Sequence, residues 1–137
     1  MTPNFDIRAA TAGDLPAIAA IQQASPEAST WEPLDYDCFV VTRDGEVAGF
    51  LVTRQTAPGE CEILNLAVHP SFRRRGIARM LVNQTLRAAP GEWFLEVRES
   101  NIAGIFFYRS LGFDSVGRRE NYYNNPSEAA IVMRFFS

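Results

Sequence analysis

Apolar positions along this chain fall into short runs separated by glycine, proline and polar residues. Residues 5–9 read as a first strand, and 14–24 follow as an amphipathic helix with Leu15, Ile18, Ala19 and Ile21 near helical spacing. Residues 25–37 are the least regular part, with two prolines and Trp31. Residues 38–42 and 46–53 make a hairpin about Asp44-Gly45, a strong two-residue turn signal. The chain turns at 56–59 into a buried strand over 60–68. A helix starting after Gly76 places Ile77, Met80, Leu81 and Ala88 on one face, and Pro90-Gly91 ends it. Residues 93–97 form the next strand, and Asn101 caps a helix running to Leu111. Gly112 followed by Phe113 fits a left-handed helix end with a hydrophobic residue beyond it. The last strands, 113–118 and 129–135, are separated by a polar loop at 120–127. The order β-α-β-β-β-α-β-α-β-β has no internal repeat and no linker, and predicts one mixed-sheet α/β (α+β) domain over residues 1–137.

Composition narrows the class. A chain of 137 residues, 47% hydrophobic with ten phenylalanines, can build a core without disulfides or metal. No apolar run approaches the length of a membrane span, and residues 1–8 do not have the make-up of a secretory signal. Cys38 and Cys61 sit in strand-like segments without metal-ligand spacing, which predicts free buried thiols in a reducing, cytoplasmic setting, with a disulfide as the lesser alternative. The net charge of −3 argues against a general nucleic-acid binder. All thirteen basic residues are arginine. Codon bias accounts for that, with the corollary that no lysine is available for self-modification.

The most informative stretch is Leu64 to Arg79, where a strand breaks at Pro70, crosses a basic loop and restarts as a helix. A strand, a turn and a helix N-terminus together aim backbone N–H groups at one point, and the helix dipole adds positive character there. Glycine admits close approach to the main chain, while the arginines deepen the positive field, so the spot suits a pyrophosphate. An arginine-rich turn solvating a helix start fits the same residues.

Spelled Arg73-Arg74-Arg75-Gly76-Ile77-Ala78, this stretch resembles the acetyl-CoA signature of the GNAT superfamily of N-acyltransferases, (Gln/Arg)-x-x-Gly-x-(Gly/Ala). A second segment, Phe94 to Asn101 leading into Tyr108-Arg109-Ser110-Leu111-Gly112-Phe113, resembles the later motif of that superfamily. Its form is similar to bacterial ribosomal-protein-alanine N-acetyltransferases (RimI-type), which acetylate the N-terminal amine of a small-subunit ribosomal protein. Asn65 to Val68, Arg118 to Tyr123 and Ala130 to Met133 add matches, so the resemblance runs from about Asp37 to Phe135.

The resemblance implies a GNAT fold with a central mixed sheet of about seven strands, and acetyl-CoA as co-substrate with no metal. It implies that the main chain of Leu66, Ala67 and Val68 hydrogen-bonds the pantetheine arm, with the Val68 amide facing the thioester oxygen. Arg73, Arg74, Arg75, Gly76, Ile77, Ala78 and Arg79 would cradle the pyrophosphate, and Asn101 would bind near the thiol end. Glu96 matches the general base and Tyr108 the general acid, with Tyr122 and Tyr123 placed against the incoming peptide. The implied partners are acetyl-CoA and a protein or peptide N-terminus, such as that of a ribosomal protein, for a monomer or weak dimer. The residue types suit the chemistry, because amine attack on a thioester needs a neutral amine, a polarised carbonyl and a proton for the leaving thiolate.

Structural roles stand beside these. Glu96 can pair with Arg98 or Arg109, Tyr108 can be a core aromatic, Asn101 a helix cap alone, and Tyr122 and Tyr123 anchors of a loop. His69, the sole histidine, lies beside the cofactor turn and is not expected to be the base. Only six residues separate Trp31 from Cys38, too few for the second helix that RimI-type enzymes carry there. That helix is therefore expected to be shortened or absent, leaving the acceptor cleft more open. Two other readings remain: a GNAT enzyme acting on a small amine, and a non-catalytic module binding CoA or RNA through its arginines.

Overall fold

The computed structural model describes residues 5–24, 36–123 and 127–136. The stretch 25–35, on which the expectation of a shortened second helix falls, lies outside them. The elements follow the expected order: β1 (Phe5–Ala9), α1 (Leu15–Gln23), β2 (Asp37–Arg43), β3 (Glu46–Ala57), β4 (Glu60–Val68), α2 (Ile77–Ala88), β5 (Glu92–Arg98), α3 (Ile102–Ser110), β6 (Asp114–Tyr123) and β7 (Glu128–Phe136). The fold is mixed α/β. Among the described residues no helix is long and apolar enough to cross a membrane.

Two strands run longer than the apolar pattern predicts. β3 continues four residues past Thr53 through exposed positions. β6 takes in Glu120 to Tyr123, expected as loop, because its ladder with β7 continues to the pair Tyr123↔Glu128 after a register shift. Backbone pairing extends both strands where side-chain burial does not, and hydrophobic periodicity cannot report that.

The chain divides into two compact units, with β4 running through both. The first comprises the described residues up to Arg54 together with Leu64–Thr85. Here β1 pairs antiparallel with β2, and β2 with β3. The β2–β3 turn is the expected one: Asp44 and Gly45 take φ of 51° and 82°, the left-handed pair a two-residue hairpin requires. The register jumps from Val41↔Gly49 to Thr42↔Val47, so Ala48 bulges out of the ladder. Its carbonyl accepts the His69 amide at 2.7 Å, which fixes the chain where β4 ends. Ile18, Ile21, Val40, Val47, Phe50, Val52 and Ala67 form one core cluster. Burying each large aliphatic or aromatic side chain there contributes about 1.5–3 kcal/mol.

Helix burial is narrower than the spacing predicts. In α1 only Ile18 and Ile21 are buried, while Leu15 and Ala19 are exposed. In α2 the buried set is Ile77, Leu81, Val82 and Leu86. Ala88 lies on the expected side but is the last helical residue, and it is exposed.

The second unit comprises Gln55–Ile63 and the described residues from Leu86 onward. β4 and β5 pair in parallel over Glu60–Ile63 and Glu92–Leu95. β7 then pairs antiparallel with β5 on one side and β6 on the other, so the last strand in sequence lies between its predecessors. The hydrogen-bonded order is β1-β2-β3-β4-β5-β7-β6. Trp93, Leu95, Val97, Phe113 and Met133 are buried in this unit. α3 ends as its sequence predicts. Gly112 (φ 104°) donates to the Arg109 carbonyl at 3.1 Å and Phe113 to the Tyr108 carbonyl at 3.1 Å, the paired bonds of a Schellman ending.

Candidate active site

In the first unit, Leu66–Val68 end β4 beyond the last residue of its ladder with β5. The chain then makes a 3-10 turn at Pro70–Phe72, capped by His69, whose Nδ1 accepts the Ser71 amide at 3.0 Å. The ring of His69 meets Phe72 edge-on, so this histidine shapes the turn. Arg74 (φ 64°) and Gly76 (φ 74°) are both left-handed, and α2 begins at once, with the Met80 amide bonding the Gly76 carbonyl at 3.0 Å. A left-handed arginine costs about 1–2 kcal/mol relative to glycine, and such strain clusters at ligand sites.

The arginines of this loop divide their work. Arg73 braces the main chain, with Nε donating to the Val68 carbonyl at 3.2 Å and Nη2 to the Ala24 carbonyl at 3.1 Å. Arg75 lies over the Phe72 ring at 5.7 Å. Arg73, Arg74, Arg75, Gly76 and Arg79 are all exposed, whereas Ile77 is buried and Ala78 half-buried. Ile77 and Ala78 can therefore offer main-chain amides, with the Ile77 side chain serving the core. A Cβ placed on Gly76 would meet nothing within 4 Å, so internal packing does not demand a glycine there. Its left-handed φ favours one, and the open space over an exposed helix start suits a diphosphate anion.

In the second unit, Glu96 leaves β5 with a half-buried side chain. Its Oε1 accepts from Arg119 Nη1 at 2.6 Å. Its Oε2 is buried and has no hydrogen-bond partner among the described residues. The partners suggested by sequence are engaged elsewhere: Arg98 pairs with Glu128, and Arg109 donates to the Ser115 hydroxyl at 3.3 Å. The Arg119 guanidinium lies 4.5 Å from the Tyr122 ring centroid, and that of Arg98 lies 4.1 Å from Tyr123. The two tyrosines meet edge to face at 5.0 Å. Both phenols are raised above their ordinary values. Burial is the main cause for each; the Glu96 carboxylate adds to it at Tyr122 by its charge and by hydrogen bonding with the phenol, while Tyr122 and then Glu96 add to it at Tyr123, which is pushed up to about 12. Tyr122 and Tyr123 thus end a strand and do not stand in a loop.

Asn101 caps α3, its Oδ1 accepting the Gly104 amide at 3.0 Å. A Cβ on Gly104 would lie 2.7 Å from the Asn101 Nδ2, so the cap depends on this glycine. The turn before Asn101 is held by Glu128, whose Oε1 accepts the Ser100 amide at 2.6 Å. Hydrogen bonds from Ser100, then Arg98, hold the Glu128 carboxyl below its usual range. Tyr108, on α3, is half-buried and packs edge to face on Phe107 (5.1 Å) and Phe113 (5.6 Å). Burial pushes its phenol well above its ordinary value, so the hydroxyl keeps its proton throughout the physiological range. It is thus a packed aromatic that also carries a protonated donor. Sequence reasoning missed Arg119 as the partner of Glu96, and Glu128 as the anchor of the Asn101 turn.

The profile of the Acetyltransferase (GNAT) family matches residues 9–113. The [Ribosomal protein bS18]-alanine N-acetyltransferase of Escherichia coli (strain K12) is 35% identical over 135 residues, covering 88% of this chain and 89% of that protein. A crystal structure of the ribosomal-protein-S18-alanine N-acetyltransferase from Escherichia coli superposes with a TM-score of 0.79 at 32% identity, covering 96% of this chain and 93% of that one. An uncharacterized protein of Mycobacterium leprae (strain TN), ML0378, is 38% identical over 104 residues, 72% of this chain and only 29% of that longer protein. The family match over most of the chain and the 35% identity to the Escherichia coli enzyme place this chain in the GNAT acetyltransferase family.

Proposed function

We propose that this protein transfers the acetyl group of acetyl-CoA directly to the N-terminal α-amine of a protein or peptide. The observation that carries the reading is the Glu96 carboxylate, which keeps one buried oxygen without a hydrogen-bond partner among the described residues. A buried acceptor in that state is unfavourable unless a ligand or water supplies a donor. An incoming amine is such a donor. The Escherichia coli relative, by its name, acts on an alanine of bS18, which supports an α-amine acceptor here.

In this reading the main chain of Leu66, Ala67 and Val68 holds the pantetheine arm, with the Val68 amide on the thioester oxygen. The amides opening α2, with Arg74, Arg75 and Arg79, bind the diphosphate, and Asn101 binds near the thiol. Glu96 accepts a proton from the amine, directly or through water, as nitrogen bonds to the thioester carbon. Tyr108 gives its proton to sulfur as the C–S bond breaks, leaving the acetylated amine and CoA thiol. Tyr122 and Tyr123 line the approach of the peptide. Residues 1–137 act as one domain, consistent with a family match that draws on both units.

An α-amine has a reference pKa of about 7.7–8.0, so the base need give only modest help near neutrality. Glu96→Gln is therefore expected to slow acetylation of an alanine-starting peptide most at low pH and to recover rate as pH rises. Steady-state rates across pH test this. A profile unchanged in shape and height would remove Glu96 from the mechanism.

A further inference from the structure

We propose that Arg119 is a positioning residue for Glu96: its guanidinium takes Oε1 and so holds Oε2 turned toward the acceptor amine. The proposal rests on the reading of Glu96 as the proton acceptor. Glu96 and Arg119 lie on β5 and β6, which do not pair with each other, since β7 runs between them. In the register, Glu96, Val132 and Gly117 stand in one row, and Arg119 stands opposite Ala130 in β7. The arginine side chain therefore spans β7 from the Ala130 row to the Val132 row to reach Glu96. The guanidinium is held from two sides, by the Glu96 carboxylate at 2.6 Å and by the Tyr122 ring at 4.5 Å.

Folding alone does not explain this arrangement. The Arg119 side chain is 56% exposed against 19% for Glu96, and an ion pair that reaches water adds little stability. Its effect falls on the carboxylate instead. A glutamate with one oxygen pinned cannot rotate freely; Oε2 makes no hydrogen bond of ordinary geometry among the described residues, and the Tyr122 phenol lies beside the same carboxylate. Holding a proton acceptor in one orientation speeds transfer without adding any contact to acetyl-CoA.

A double-mutant cycle tests this on acetylation of an alanine-starting peptide at saturating substrate. Arg119→Gln should lower kcat about tenfold, less than the roughly 10²–10⁴-fold that a general base itself supplies, with acetyl-CoA affinity unchanged by calorimetry. Arg119→Lys, which keeps a charged donor, should recover most of that loss. In a Glu96→Gln background, Arg119→Gln should change kcat less than about twofold, because the residue it positions is already gone. Losses that multiply in the double variant would overturn the proposal, as would Arg119→Gln at wild-type kcat beside a slow Glu96→Gln. If Glu96→Gln itself keeps wild-type kcat, the proton-acceptor reading fails first and the proposal falls with it. Thermal melts of each variant separate these results from a loss of fold.

Discussion

Tyr108→Phe should lower kcat by about tenfold or more while leaving acetyl-CoA affinity nearly intact. The substitution removes one oxygen and keeps the ring, so the edge-to-face contacts with Phe107 and Phe113 survive. The main-chain bonds from Leu111 and Phe113 to the Tyr108 carbonyl do not depend on the side chain. Stability should therefore change little, and the loss should appear in turnover. Burial keeps the phenol protonated, the state an acid needs. The same shift makes the phenol a weaker acid, so its proton passes to sulfur only as the C–S bond breaks and negative charge builds there. Steady-state kinetics with a calorimetric binding control checks this. Unchanged turnover at saturating substrate would reduce Tyr108 to packing, with water as the proton source.

Gly76→Val should cripple acetyl-CoA binding. At φ 74° a β-branched residue is strained, although open space surrounds the position. The loop can relieve that strain only by rotating away, which turns the amides that open α2. Restoring the left-handed turn on binding costs about 1–2 kcal/mol, a weakening of roughly five- to thirtyfold, before any clash with the ligand is counted. Arg74→Ala should weaken binding more mildly, since it removes one exposed, salt-screened charge. Calorimetry on folded variants reads both. An unchanged affinity in Gly76→Val would defeat the placement of the diphosphate.

Features decided by a few neighbouring residues were legible in the sequence. Asp44-Gly45 specifies its turn through backbone conformation alone, and Asn101 and Gly112 cap the two ends of α3 as their types predict. The turn into α2 was legible for the same reason, since Arg73 to Ala78 encode it locally. What depends on strand order was not. Glu96 and Arg119 are 23 residues apart and meet across β7, which lies between β5 and β6. Nothing in the periodicity of β5 or β6 signals that insertion, so the nearer Arg98 and Arg109 were the natural partners to consider. The extension of β6 through Tyr123 was hidden likewise, because polar side chains mask a strand that its β7 ladder maintains. The exposure of Leu15 and Ala88 shows that spacing names a helix face without saying how far the core extends along it.

A single peptide tests which amine accepts the acetyl group. The peptide begins with a free alanine and carries one internal lysine, and it is incubated with the enzyme and acetyl-CoA near neutral pH. A lysine amine, with a reference pKa of about 10.4, is far less often neutral there than an α-amine. Tandem mass spectrometry then locates the acetyl group. Transfer to an N-terminal acceptor gives an acetylated α-amine with the lysine untouched, and the same outcome when serine replaces the first alanine. Acetylation of the lysine with the free N-terminus unmodified would contradict it.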